Sequence, residues 1–391
     1  MNTNRITIVD ALRGFALLLI ILIHFAEHFE LFHEAQYHFL FSKETDDKVL
    51  SLVFIILSGK AFSVFALLFG FSFYIQLSRG EQRGVDFRLR FFWRLIVLLI
   101  LGFLHSLIYK GDILHTYAIL GLFLIPLYKL NTKLLIWISA LFAVQVPAIC
   151  LLIYSFNNPE YVYTASFGSG LWELGNKIYS TGSFKDVISH NLWLGRSSVW
   201  GWSFYNGRLF QLFALFIAGL IAGRKKIFEN TALHKKFLVK TLYISLIAAI
   251  LLIAVKSVVM HADLSESQFT LAKIILETNT NLAFTFAIIS SVVLLHIRFN
   301  RKKIFGIFAS YGRMSLTNYV SQVVFGVLFF YGFGLGMYRY IGITWSIILS
   351  AIIFYLQALL SRYWMNHFYY GPLEWLWRAL TFFNFKLKFK R

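Results

Sequence analysis

From Gly14 to Ala26 the chain carries no Lys, Arg, Asp or Glu, and stretches this apolar recur from one end of the sequence to the other. A helix needs roughly 20 predominantly apolar residues to cross a hydrocarbon layer about 30 Å thick, so repeated runs of that length leave few folds open. A chain of 391 residues with 58% hydrophobic and 14% charged residues cannot hide so much apolar surface in a water-soluble core. The runs are continuous and rich in Leu, Ile and Phe, without the short alternation of a transmembrane barrel. The fold class expected is all-α, a polytopic membrane protein.

Apolar runs lie near residues 9–29, 53–77, 91–109, 113–128, 134–154, 208–222, 238–260, 273–296, 306–332 and 341–361, which predicts about ten transmembrane helices. Ser58-Gly59-Lys60 interrupts the second run, so Lys48 to Gly59 is expected along the outer interface, ahead of the true span. The formal charge of +19 sits in short clusters between runs, not on one soluble face, so nucleic acid is not an expected partner. Cytoplasmic loops carry the excess of Lys and Arg. The clusters at Arg79 to Arg94, Arg224 to Lys240, Arg298 to Arg313 and Arg362 to Arg391 fall on one side if both termini are cytoplasmic. Residues 1–391 then form a single transmembrane domain. Within it 155–207 is a long extracytoplasmic connection rich in Trp, Tyr, Gly and Ser, and 371–391 is a cytoplasmic interfacial helix with a basic tail. Ala11 to Phe29 lacks a small-residue cleavage site and reads as a retained first helix, not a signal peptide. Cys150 is the one cysteine and reads as a small core residue.

Ionisable residues inside a bilayer need a partner or a purpose. At about 100° per residue Arg13 and His24 fall within about 20° of each other on the first helix, and Asp10 lies within about 60° of Arg13. His24 stands roughly 16 Å above Arg13, where lipid should be. The neutral alternatives are a charge pair at the helix start for Asp10 and Arg13, and a hydrogen bond to a neighbouring helix for His24. A second cluster joins His105, Asp112 and His115 at the turn between the third and fourth runs. Arg88, Arg90 and Arg94 begin the third run, either as positive-inside anchors or as a collar for phosphate. In the ninth run Arg313, Asn318 and Gln322 are polar, the last two one turn apart as interhelical glue or cavity lining. The connection after the first run carries Glu27, Glu30, Glu34, Glu44, Asp46, Asp47, His28, His33 and His38; its spacing matches no tight ligand set, so a solvated face is expected and no metal.

The opening pattern of Arg5, Asp10, Arg13 and Gly14, the phrases KAFSVFALLFGFSF and GDILHTYAILGL, the helix end IAGLIAGR, and GRMSLTNYVSQ followed by GPLEWLWR resemble the YeiB-like family of bacterial membrane proteins over nearly the whole chain. That family is of unknown function and is distantly similar to transmembrane acyltransferases, the acyltransferase-three proteins and heparan-α-glucosaminide N-acetyltransferase among them. The resemblance implies a bacterial inner-membrane acyltransferase. It would move an acyl group from cytosolic acyl-CoA, acetyl-CoA foremost, to a hydroxyl or amine acceptor, glycan or lipid-linked, on the outer side. Arg5, Asp10, Arg13, Gly14 and His24 fit the acyltransferase-three pattern, in which the histidine is catalytic, and Arg88, Arg90 and Arg94 look like its arginine-rich helix entry. Arg13 and these arginines would hold the donor. His24, or else His105 or His115 with Asp112 orienting, would be the base. Asp10, Arg313, Asn318 and Gln322 would support or line the cavity. The expected partners are membrane lipid and the outer acceptor, with a homodimer left open. The competing class is a secondary transporter or proton-coupled channel using the same histidines.

Overall fold

The computed structural model describes residues 6–31, 40–164, 169–299 and 302–391. Arg5, His33, Glu34, His38 and Arg301 lie outside the described residues. The helices in order are α1 (Thr7–Ala26), α2 (Lys43–Leu57), α3 (Ala61–Glu81), α4 (Arg88–Ser106), α5 (Leu114–Leu127), α6 (Thr132–Ala143), α7 (Val146–Asn157), α8 (Ser169–Thr181), α9 (Phe184–His190), α10 (Arg196–Tyr205), α11 (Arg208–Arg224), α12 (Lys235–Val259), α13 (Glu266–Phe299), α14 (Lys302–Arg313), α15 (Ser315–Phe330), α16 (Ile343–His367) and α17 (Pro372–Phe382). A π-helical turn, Asn191–Gly195, joins α9 to α10, and one isolated β-bridge pairs Phe368 with Lys390. The protein is all-helical.

Each of the ten apolar runs folds as helix, but their lengths divide them. Among the described residues six stretches are long and apolar enough to cross a membrane, or eight if each of two bent pairs is one span. α5 and α15, with 14 and 16 residues, are shorter. The run at 134–154 breaks at Gln145, whose φ of 63° is left-handed, and Pro147 opens α7 beyond it, so α6 and α7 meet at 47°. The run at 306–332 breaks at Met314 between α14 and α15. The break leaves the first amides of α15 without intrahelical partners, and Glu374 of α17 accepts from Leu316 N at 2.6 Å and Thr317 N at 3.2 Å. The second run breaks at Ser58 to Lys60 as its sequence suggested, with Gly59 at φ 78°.

Burial shows which helix is central. The most apolar window of α1 is 72% buried within the protein, against 11% for α12 and 17% for α16. α1 is therefore an interior helix, and α12 and α16 present apolar residues outward, as lipid-facing helices do. Two glycine pairs let backbones approach closely. A Cβ on Gly14 would meet Phe308 O and one on Gly312 would meet Asp10 O, locking α1 to α14; Gly70 and Gly219 stand in the same way against Phe216 O and Leu67 O between α3 and α11.

Candidate active site

Two cavities lie one beyond the other along α1. The first, of about 390 Å³, surrounds the N-terminal part of α1, and five arginines line it: Arg13, Arg79, Arg94, Arg313 and Arg378. Arg13 donates to Asp10 Oδ1 at 2.9 Å and to the Ser72 hydroxyl, which ties α1 to α3. The Arg94 guanidinium lies 3.6 Å above the Trp377 ring, and Trp377 Nε1 donates to Arg94 O at 2.9 Å, so α17 closes this cavity against α4. Arg378 Nε is buried with no hydrogen-bond partner among the described residues.

Only one of the three arginines at the start of α4 reaches the cavity. Arg94 lines it, whereas Arg88 grips Asp86 at 2.6 Å on the surface and Arg90 is exposed, 5.3 Å from the Phe382 ring. The hydrogen bonds from Arg88 pull the Asp86 carboxyl down to about 2. At 100° per residue Arg88 lies about 120° around the helix from Arg94, whereas Arg90 shares its face but stands one turn, about 6 Å, nearer the helix start, outside the cavity.

The second cavity, of about 730 Å³, lies at the C-terminal part of α1 and is lined by His24, Glu27, Glu30, Asp112, Trp202 and Arg208, among others. Glu27 and Glu30, expected on a solvated face, stand here instead because the chain turns back into the protein after α1, with Phe29 buried. His24 Nδ1 is 3.0 Å from the Tyr109 hydroxyl, which is 3.5 Å from Glu30 Oε1. When Tyr109 gives its proton to Glu30, its oxygen accepts from a neutral imidazole protonated at Nδ1, and the Nε2 lone pair is left free.

His105, Asp112 and His115 do come together. Asp112 Oδ1 is 2.7 Å from His105 Nδ1 and Oδ2 is 2.8 Å from His115 Nδ1. His115 Nε2 accepts from Trp200 Nε1 at 2.8 Å, so both its nitrogens are engaged. His105 Nε2 is buried without a hydrogen-bond partner among the described residues. Neither ring is part of the two cavity walls, although Asp112 is. Asn318 and Gln322 bond across helices. Asn318 donates to Tyr311 O at 3.0 Å and Ser361 Oγ at 2.9 Å, and Gln322 to the Tyr311 hydroxyl. Arg313, one turn earlier, faces the first cavity.

Four residues, Ile20, Phe62, Ile113 and Tyr319, line both cavities. Ile20 is one turn before His24, so the shared wall lies about 6 Å along α1 from the imidazole. Arg208 stacks 3.9 Å from the Phe62 ring on the second side. Arg208, Tyr109 and Tyr319 have no role in the sequence reading, and Trp377 and Arg378 enter it only as part of the interfacial helix at 371–391. Arg208 at the very start of an apolar run and the adjacent Trp377-Arg378 of GPLEWLWR were the available signals. Among the described residues no group of three His, Cys, Asp or Glu is placed to hold a metal ion.

Comparison with known proteins divides the chain in two. Residues 5–169 match the family model described as heparan-alpha-glucosaminide N-acetyltransferase, catalytic, and residues 222–384 match one described as protein of unknown function (DUF418). The chain is 27% identical to the uncharacterized protein YxaH of Bacillus subtilis (strain 168), over 99% of this chain and 96% of that protein. It is 25% identical to an uncharacterized 39.9 kDa protein from the amylase 3' region of Bacillus acidopullulyticus, over 97% and 94%. To the uncharacterized protein YeiB of Escherichia coli (strain K12) it is 26% identical, over 82% and 81%. No solved structure matches. These matches agree with the resemblance carried by the sequence phrases, and the chain is a multi-pass membrane protein similar to YeiB over 82% of its length and to an acetyltransferase catalytic domain over residues 5–169.

Proposed function

We propose that the protein is a membrane acyltransferase that takes an acyl group from acyl-CoA in the arginine-lined cavity and delivers it to a hydroxyl or amine acceptor in the cavity that holds His24. The observation that carries this reading is the shared wall: an arginine-lined chamber and a chamber with a free imidazole nitrogen meet at Ile20, Phe62, Ile113 and Tyr319. Two substrates entering from opposite ends would touch only there. With ten spans and both termini cytoplasmic, the arginine chamber opens to the cytosol and the His24 chamber to the outer side, where the segment 155–207 carries Trp202 of its wall. The likeness of residues 5–169 to an N-acetyltransferase catalytic domain supports the same reaction class.

The first chamber suits a polyanionic donor. Arginine forks bind phosphate oxygens in bidentate fashion, and the unpartnered Arg378 Nε faces a need that such a ligand would meet. Acyl-CoA supplies an activated thioester carbonyl. In the second chamber His24, held at Nδ1 by Tyr109, would take through Nε2 the proton that the acceptor releases and pass it to the departing thiolate. His105, Asp112 and His115 would hold the wall in shape.

Calorimetric titration of acetyl-CoA into the purified protein tests this. Arg94→Ala and Arg378→Ala should each weaken binding about tenfold or more, the loss of one charge-assisted contact, while Arg88→Ala should stay within about twofold. A folded wild type that binds no acyl-CoA would sink the donor reading, and two chambers in line would then describe a solute or proton path.

A further inference from the structure

We infer that Tyr319 is a catalytic residue: its hydroxyl donates a hydrogen bond to the thioester carbonyl oxygen at the junction of the two cavities. The inference rests on the acyltransferase reading above and assigns a task in it that no histidine fills.

Acyl transfer has two separate needs. A base must remove the acceptor's proton, and a donor must meet the charge that grows on the carbonyl oxygen as the acceptor's oxygen or nitrogen bonds to the carbonyl carbon. The C–S bond then breaks, the electron pair leaves with sulfur, and the proton held on His24 Nε2 moves to that thiolate. His24 stands wholly on the second chamber's side and covers the first need. The donor must stand where both substrates arrive, among the four residues common to both walls. Ile20, Phe62 and Ile113 have no side-chain donor. Tyr319 has one.

The phenol is also set up to give its proton away. Tyr319 is 95% buried, and its oxygen accepts the Ile113 amide at 3.4 Å, which draws electron density from the O–H bond. Among the described residues nothing accepts the hydroxyl proton in return. A buried hydroxyl that accepts without donating costs stability unless a ligand completes it. Its support is rigid: Ile113 follows Asp112, which both histidines clamp, and the Tyr319 ring packs 5.2 Å from the His105 ring. The buried Asp112 cluster thereby gains a use, since it fixes the amide that positions the phenol. His105 and His115 act through Tyr319 and are positioning residues, not bases.

The test reads the carbonyl directly and needs no acceptor. Acetyl-CoA labelled with carbon-13 at the carbonyl is bound to wild type and to Tyr319→Phe in nanodiscs, and its carbonyl resonance is compared with that of the free ligand. A hydrogen bond to the oxygen moves the resonance downfield. The expected result is a downfield shift in wild type that disappears in Tyr319→Phe, with affinity within about twofold. Slow transfer of the acetyl group to water in the absence of acceptor, read as release of CoA thiol, should fall about 10²- to 10³-fold with KM for acetyl-CoA nearly unchanged. A bound ligand whose shift is the same in both proteins overturns the assignment of Tyr319 and leaves the donor site standing. Wild type that binds no acetyl-CoA overturns both. Should Tyr319→Phe fail to fold, 3,5-difluorotyrosine at 319 decides: a stronger donor moves the wild-type shift further downfield, and an unmoved resonance rejects the proposal.

Discussion

His24 is usable as a base because of what occupies its other nitrogen. An imidazole free at both nitrogens would sample two tautomers, and only one leaves Nε2 ready to accept. Tyr109, 3.0 Å from Nδ1, selects that one when its own proton goes to Glu30. By contrast, His115 is spent on Asp112 and Trp200. His24→Ala should therefore give a folded protein that still binds acetyl-CoA and has lost transfer, by the roughly 10²- to 10⁴-fold that a general base contributes. Tyr109→Phe keeps the ring packing and removes only the tautomer control. It should lower kcat roughly ten- to a hundredfold with KM for acetyl-CoA unchanged. Steady-state kinetics on the two variants separates the roles, and equal, full activity in His24→Ala would remove this residue from the chemistry.

At the scale of helices, what could be read from sequence and what could not follow from the range of the physics. Apolar runs report lipid and core alike, so all ten helical segments were legible, and the stripe of Asp10, Arg13 and His24 followed from helical periodicity alone. The breaks at Gln145 and Met314 were not, because each is completed by distant atoms: Gln145 donates to Gly207 O at 3.0 Å, and Glu374 caps α15 from the other end of the chain. For the same reason the Arg88, Arg90 and Arg94 cluster looked like one collar although a single member faces the cavity. Tyr319 carries no local signal that sets it apart from anchoring aromatics. The close contact of α1 with α14 offers a test within one helix. Gly312→Ala drives a methyl into the Asp10 carbonyl and should destabilise by about 1–3 kcal/mol. Gly306→Ala, six residues away with open space around its Cβ position, should be neutral or slightly stabilising, since alanine is the better helix former. Thermal unfolding in detergent checks both; comparable stabilisation of the two would mean that helix propensity and not the backbone contact governs α14.

For the molecule as a whole the division of labour depends on which way it sits in the membrane. Arg83, on the turn between α3 and α4, is exposed at the end of the protein that holds the arginine cavity, and Lys185 of α9 is exposed near the opposite one. The excess of Lys and Arg around the first end argues that it faces the cytosol. Acyl-CoA, a cytosolic compound too polar to cross the bilayer, could then reach only the chamber whose arginines suit it, and the His24 chamber would be left to an outer acceptor. Cys150 is the protein's one cysteine, so Cys150→Ser yields a background free of thiols. On it, Lys185→Cys should react with a membrane-impermeant maleimide added to intact cells, and Arg83→Cys should react only in inverted vesicles or after permeabilisation. The reverse pattern would turn the arginine chamber away from the acyl-CoA pool. Transfer from cytosolic donor to outer acceptor would then be impossible in this orientation, whatever His24 and Tyr319 can do.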